Sequence, residues 1–347
     1  MKVIVVGPDS EAKGGIATVI RNFETYFNYN DVEMTFLTTW QEGSKWLRLK
    51  QAWRSFRELR REIKKQKTII HLHVAQDGSF YRKAILLLAS YKKATVIMHM
   101  HASQFDVFYK KQNNWMKKWI RSIFNKANSI VVLSEEWREF YEQLTETPIT
   151  IIANAVPIPE VDLYQKNAKK IVTFGRIGHR KGSFDILQVA KQIYTKHPDY
   201  QFVLYGDGEI EKTQHEIERM NLSNVTLGGW ITDSEKMEVL RESIIHLLPS
   251  YHEGLPMAIL ETMASGIPNI ASRVGGIPQV ITEQNGRLVD AGDISLITEA
   301  LEELLNDAEK RKLLSQNARE TIFERFSIEA YMQQWHDHYQ NLERVRL

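Results

Sequence analysis
Short apolar runs of strand length alternate with stretches of helical periodicity along the whole chain, and few folds satisfy that alternation. In the first half the runs are Lys2 to Pro8, Met34 to Thr38, Thr68 to Val74, Ala94 to His101, Ser129 to Leu133 and Pro148 to Ile152. In the second half Lys170 to Gly175, Tyr200 to Tyr205, Asn224 to Leu227 and a run ending at Pro249 repeat the pattern. Continuous apolar runs separated by helices describe parallel strands buried on both faces. A chain of 347 residues is too long for one ordinary core, and residues 157–169, with two prolines and no periodicity, read as a linker. The expectation is an α/β protein with one domain over residues 1–163 and a second over 164–327, followed by a last helix from Ile328. In parallel sheets ligands bind beyond the carboxyl ends of the strands, so the loops that follow the strands carry the functional argument.

The loop after Pro249 is the most informative. It carries Glu253 and Gly254, and a helical pattern then opens at Pro256 and closes at Gly266 and Pro268. Proline suits a first helical turn, where its missing N–H costs nothing, so the backbone donors of Gly254 and Leu255 are directed toward an anion. Glu261 follows Glu253 by eight positions, about two turns, and two carboxylates then flank one anion site. Carboxylates suit sugar hydroxyls rather than phosphate, so the implied ligand is a nucleotide sugar.

Three further loops add to this. After the strand Lys170 to Gly175 come Arg176, Lys181 and Gly182, with Ser183 expected to cap the next helix. A fixed Arg and a Lys stabilise the charge that grows on a departing nucleoside diphosphate. Lys181→Ala is therefore expected to lower turnover far more than it weakens folding. Gly14 and Gly15 stand at the start of the first helix, where glycines let backbone N–H groups approach an anion closely. His101 ends its strand and faces the ligand side, while His99, His71 and His73 sit within strands as core histidines. Four histidines on two strands also suggest a metal, but no carboxylate follows at ligand spacing in that stretch, and none is expected.

Two motifs carry a family resemblance: E-G-L-P-x4-E-x-M-A-x-G-x-P at 253–268 and G-R-x4-K-G at 175–182. They resemble the donor-site signatures of the retaining GT-B glycosyltransferases of family four, the glycosyl transferases group 1. The start Lys13 to Ile20 is similar to that of bacterial capsule and exopolysaccharide transferases. The resemblance implies two Rossmann-like domains facing an interdomain cleft, with the helix 328–347 returning to the first. It implies that Gly175, Arg176 and Lys181 hold the donor diphosphate with the amides of Gly254 and Leu255 and the Gly14–Gly15 loop. Glu253 would bind donor-sugar hydroxyls, Glu261 the ribose, and His101 would line the reacting carbon. The backbone after Leu227 would meet the base, with core packing expected of Trp230 and Ile231 themselves. Transfer would retain the anomeric configuration by front-face attack, the departing phosphate taking the acceptor proton, so no protein nucleophile is named. Neither cofactor nor metal is implied, and the donor is expected to be a UDP-sugar rather than a GDP-sugar.

Charge adds a partner. Residues 1–165 carry 24 Lys and Arg against 17 Asp and Glu, and residues 166–347 carry 21 against 26. The excess gathers in residues 45–67, where Trp46, Leu49, Trp53, Phe56, Leu59 and Ile63 form an apolar stripe among ten cations, and in residues 110–126, with Trp115 and Trp119. Read as basic amphipathic helices, both suit an anionic membrane surface. No base-reading motif accompanies them, so nucleic acid is not expected. The chain lacks cysteine, which excludes disulfides and thiolate metal sites and fits a reducing cytoplasm. Its start reads as a strand rather than a signal peptide, and no apolar run is long enough to span a bilayer. The sequence therefore points to a cytoplasmic glycosyltransferase, peripheral on the inner face of the membrane, acting on a glycan or lipid-linked acceptor in surface polysaccharide synthesis. A nucleotide-sugar epimerase of the same architecture, or a non-catalytic nucleotide-sugar binder, stays open beside it.

Overall fold
The computed structural model describes residues 1–41 and 43–345, without the side chains at 45, 48, 49 and 345. Two compact units result, one formed by Met1–Asn154 and the segment from Ile328, the other by Ala155–Ser327. The first unit runs β1 (Lys2–Pro8), α1 (Gly15–Tyr26), β2 (Glu33–Trp40), α2 (Lys45–Glu62), β3 (Thr68–Val74) and α3 (Gly78–Ser90). It continues through β4 (Thr95–Met100), α4 (Phe105–Lys110), α5 (Asn114–Phe124), β5 (Ser129–Val132), α6 (Glu135–Glu142) and β6 (Ile149–Ile151). The second unit contains β7 (Lys170–Phe174), α7 (Ser183–Lys196), β8 (Gln201–Tyr205), α8 (Ile210–Arg219), β9 (Val225–Gly229) and α9 (Asp233–Arg241). After these come β10 (Ser243–Leu248), α10 (Met257–Ala264), β11 (Asn269–Ser272), β12 (Gly286–Val289), α11 (Ile294–Asn306) and α12 (Ala308–Arg325). The final helix, α13 (Ile328–Val345), belongs to the first unit.

Each unit holds one six-stranded parallel sheet, ordered β2-β1-β3-β4-β5-β6 in the first and β12-β11-β10-β7-β8-β9 in the second. Both are Rossmann-like. Direction reverses beside β1 in the first sheet and between β7 and β10 in the second, so the loops after those strands diverge and leave a crevice at the carboxyl edge. The strands read as continuous apolar runs because both their faces are covered. In β1 all residues from Lys2 to Gly7 are buried, and β4 and β10 are buried throughout. Helix α13 is part of the first core, with Trp335 and Tyr339 wholly buried. The stretch read as a linker packs on the second unit: Leu163 is buried and its N–H donates to Ser265 O at 3.1 Å.

The two basic segments differ from expectation in an informative way. Helix α2 stops at Glu62, where Lys2 Nζ reaches the carboxylate at 2.9 Å and ties the helix end to β1. Its apolar stripe divides: Leu59 and Ile63 enter the core and Phe56 packs against it, while Trp46 and Trp53 stay 82% and 59% exposed. The side chain of Leu49 lies outside the described residues. Residues 110–126 are not one helix, because Asn113 caps α5, accepting the Met116 N–H at 2.9 Å, and separates it from α4. Trp115 is 69% exposed there, whereas Ile120 and Phe124 are buried.

Candidate active site
In the second unit the loops after β7 and β10 meet through a buried ion pair. Lys181 Nζ lies 2.5 Å from Glu253 Oε1, and Ser250 donates to the same oxygen at 2.7 Å. Arg180 donates to His252 O at 3.0 Å and stands 3.8 Å from Glu253 Oε2. Lys181 and Glu253 are only 8% and 5% exposed. Burial pulls the Lys181 pKa below its ordinary value, and the Glu253 carboxylate opposes that shift. Gly175 makes the approach possible: its φ is +134°, and a Cβ there would stand 3.1 Å from Lys181 Cε. Gly275 does the same beneath Glu253, since a Cβ would come within 2.1 Å of Glu253 O at a φ of +56°.

Expected site residues fall as follows. Arg176 follows Gly175, is exposed, and among the described residues meets no carboxylate. Gly254 is buried, and its carbonyl accepts the Gly276 N–H at 2.6 Å, which pins the loop below α10. Leu255 is buried beside it. Pro256 is the residue before α10 rather than its first, with ψ 126°, and the helix starts at Met257. Glu261 sits on α10 and is held by Lys236 Nζ at 2.8 Å, and Lys236 also lies over the Phe174 ring at the end of β7. Glu253 and Glu261 therefore each already hold a lysine. This changes the expectation for Lys181→Ala: removing one member of a buried pair strands the other charge, so folding suffers along with turnover.

Sequence reasoning missed several supports. Ser183 does not cap α7; the cap residue is Gly182, and Ser183 Oγ instead accepts the Gly178 N–H at 2.9 Å, bracing the cationic loop. Arg180, Lys236 and Ser250 had no assigned part, because contacts between loops far apart in sequence leave no periodic signal. Trp230 is 45% exposed rather than packed in the core, whereas Ile231 packs against it.

In the first unit Gly14 is the residue before α1 and offers that helix no side-chain cap, and both Gly14 and Gly15 are exposed. His101 stands one residue beyond β4, partly exposed, with its pKa lowered to about 3 by burial. His71, His73 and His99 are buried, with ring nitrogens within 4.8 Å of one another, a set that three metal ligands could use. The rings argue otherwise. His71 Nε2 faces His99 Nδ1 at 3.0 Å and His73 Nδ1 faces His101 Nε2 at 2.9 Å, so these nitrogens are taken up by hydrogen bonds between the rings.

Residues 13–159 match the family Glycosyltransferase Family 4 and residues 158–321 match Glycosyl transferases group 1. Among solved structures, sucrose-phosphate synthase from Thermosynechococcus elongatus superposes with a TM-score of 0.81 at 17% identity over 99% of both chains. Anabaena HepE in complex with UDP-glucose gives 0.77 at 16% identity, over 98% of this chain and 100% of that one. The two parts of the chain thus match one glycosyltransferase family model each, and the fold is that of the GT-B glycosyltransferases. Among characterised relatives, the 2-deoxystreptamine N-acetyl-D-glucosaminyltransferase of Niallia circulans is 32% identical over 46% of this chain and 42% of its own length. The UDP-Gal:alpha-D-GlcNAc-diphosphoundecaprenol alpha-1,3-galactosyltransferase of Escherichia coli is 28% identical over 61% and 60%. The matched portion is thus less than two thirds of either relative.

Proposed function
We propose that the chain moves a sugar from a nucleotide-diphosphate donor, a UDP-sugar, to a hydroxyl on a glycan or lipid-linked acceptor, with retention of configuration. The observation that carries this is Arg176, an exposed cation without a carboxylate, on the same short loop as the buried Lys181. Such an arrangement leaves positive charge for an anionic ligand at the carboxyl edge of the sheet. In this reading Arg176, Lys181 and the amides of Gly254 and Leu255 take the diphosphate, and the Gly14–Gly15 loop assists. Glu253 contacts the donor sugar with the oxygen that Lys181 leaves open, Glu261 the ribose, and His101 the reacting centre. As the anomeric C–O bond to phosphate breaks, the leaving oxygen gains charge and takes the acceptor hydroxyl proton, and the new glycosidic bond forms on the same face. The two cations neutralise that charge, so no divalent metal is required. The E. coli relative, named for an α-1,3 linkage formed from UDP-Gal, supports a UDP donor and a lipid-diphosphate acceptor. The place in bacterial surface polysaccharide synthesis rests on the resemblance of the start Lys13 to Ile20 to capsule and exopolysaccharide transferases. Transfer from a panel of nucleotide sugars to lipid extract tests the reading. Binding without any release of nucleoside diphosphate would leave only a non-catalytic binder.

The membrane-facing part of the proposal rests on three neighbouring helices. Helix α3 packs beside both α2 and α5, and these expose Trp46, Leu47, Trp53, Ile85, Leu88 and Trp115 amid the basic residues. Among the described residues no helix is long and apolar enough to cross a membrane, so attachment would be peripheral, on a cytoplasmic leaflet. Flotation with anionic vesicles is expected at low salt and to weaken at high salt, each surface cation contributing on the order of 1 kcal/mol. Trp53→Ala with Trp115→Ala should abolish it. Equal flotation with neutral vesicles would end this part of the proposal.

A further inference from the structure
His71 and His73 of β3 and His99 and His101 of β4 form one cluster, and their ring nitrogens pair in two short chains. In the first chain His71 Nδ1 lies 2.7 Å from the Tyr339 hydroxyl and His71 Nε2 lies 3.0 Å from His99 Nδ1. In the second, His73 Nδ1 lies 2.9 Å from His101 Nε2. Each chain ends on a buried nitrogen that has no partner among the described residues, His99 Nε2 in one and His73 Nε2 in the other. Burial keeps all four rings neutral.

The orphaned His73 nitrogen decides where the protons of the second chain sit. A neutral imidazole has one donor and one acceptor nitrogen. An orphaned buried N–H is rarer in proteins than an under-satisfied acceptor, so His73 keeps its proton on Nδ1 and leaves a lone pair on Nε2. His73 Nδ1–H then donates to His101 Nε2, and the proton of His101 is left on Nδ1. The first chain is not decided in this way, because a Tyr339 hydroxyl that accepts from His71 has, among the described residues, no acceptor for its own proton.

We infer that His73 is a positioning residue that holds His101 as its Nδ1–H tautomer, so that His101 meets the substrate as a neutral hydrogen-bond donor to a sugar oxygen and not as a base. His101 Nδ1 has no partner among the described residues and is the nitrogen left for a ligand. The substrate part of this inference rests on the proposed role of His101; the tautomer part does not.

Two measurements test it. With 15N-labelled histidine, the shifts of protonated and bare ring nitrogens report the tautomer directly; Nδ1–H is expected for His73 and His101, and Nε2–H for His101 overturns the inference. In kinetics, His73→Asn keeps an N–H near the Nδ1 position while His73→Leu has none. The Asn variant should hold kcat within about threefold and the Leu variant should lose about tenfold or more, with little change in KM for the nucleotide sugar. Equal losses in the two variants, with equal melting temperatures, would show that the donor is irrelevant. If the wild type transfers no sugar, the proposed function fails, and the nitrogen shifts still decide the tautomer independently.

Discussion
Lys181→Ala is expected to abolish transfer and to lower the melting temperature together, and the two losses should separate in a double variant. Alanine leaves the Glu253 carboxylate with only the Ser250 hydroxyl and the more distant Arg180, in a site where both Lys181 and Glu253 are nearly inaccessible. Breaking a buried pair from one side costs about 3–5 kcal/mol, on the order of 10 °C for a unit of this size. Replacing both partners by neutral groups of similar shape, Lys181→Met with Glu253→Gln, removes the unpaired charge and should recover most of that stability. Turnover should not return, since the charge opposite the departing diphosphate is still missing. Thermal melts and kcat for the two single variants and the double variant close the cycle. Turnover restored in the double variant would remove Lys181 from the chemistry, and a wild-type melting temperature for the Lys181→Ala protein would deny the pair its structural part.

Arg176→Ala makes the complementary case. Because the side chain is exposed and meets no carboxylate, its loss should move the melting temperature by no more than about 1 °C, as for other surface substitutions. Loss of one charged contact to a developing anion typically costs on the order of a hundred- to a thousandfold in kcat, and a fall of that size is expected here. Arg176→Lys should recover only part, since a point charge replaces a two-pronged donor. Unchanged kcat in the alanine variant would leave the loop without its proposed purpose. This pair of variants also separates the two cations, Lys181 expected to act in folding and transfer together and Arg176 in transfer alone.

What was legible in the sequence follows from the range of the interactions involved. Strands such as β1, β3 and β10 are read from apolar runs because burial on both faces leaves an uninterrupted local signal. The Gly175–Gly182 loop was legible for a similar reason, since glycine and cationic residues cluster within a few positions. Pairing between loops was not. Nothing near Glu253 announces Lys181, 72 residues away, and nothing near Glu261 announces Lys236. The basic stretch 110–126 misled because its composition is uniform, while a single Asn113 side chain divides it by capping α5. The stripe on α2 misled differently: at about 100° per residue Leu59 lies roughly 140° around the helix from Trp46 and roughly 120° from Trp53, so the two tryptophans point away from the side that buries Ser55, Leu59 and Ile63. The histidines of β3 and β4 were visible as residues, but their proton arrangement depends on which nitrogens go without partners, which only coordinates reveal.

The most direct test of the central claim is transfer itself, run with a chelator present and with the product examined by NMR. Purified protein, a UDP-sugar and a lipid-diphosphate acceptor are expected to release UDP and to give an α-linked product, with the rate unchanged by the chelator and lost in the Arg176→Ala protein. A β-linked product, strict dependence on a divalent metal, or undiminished UDP release without Arg176 would contradict the account.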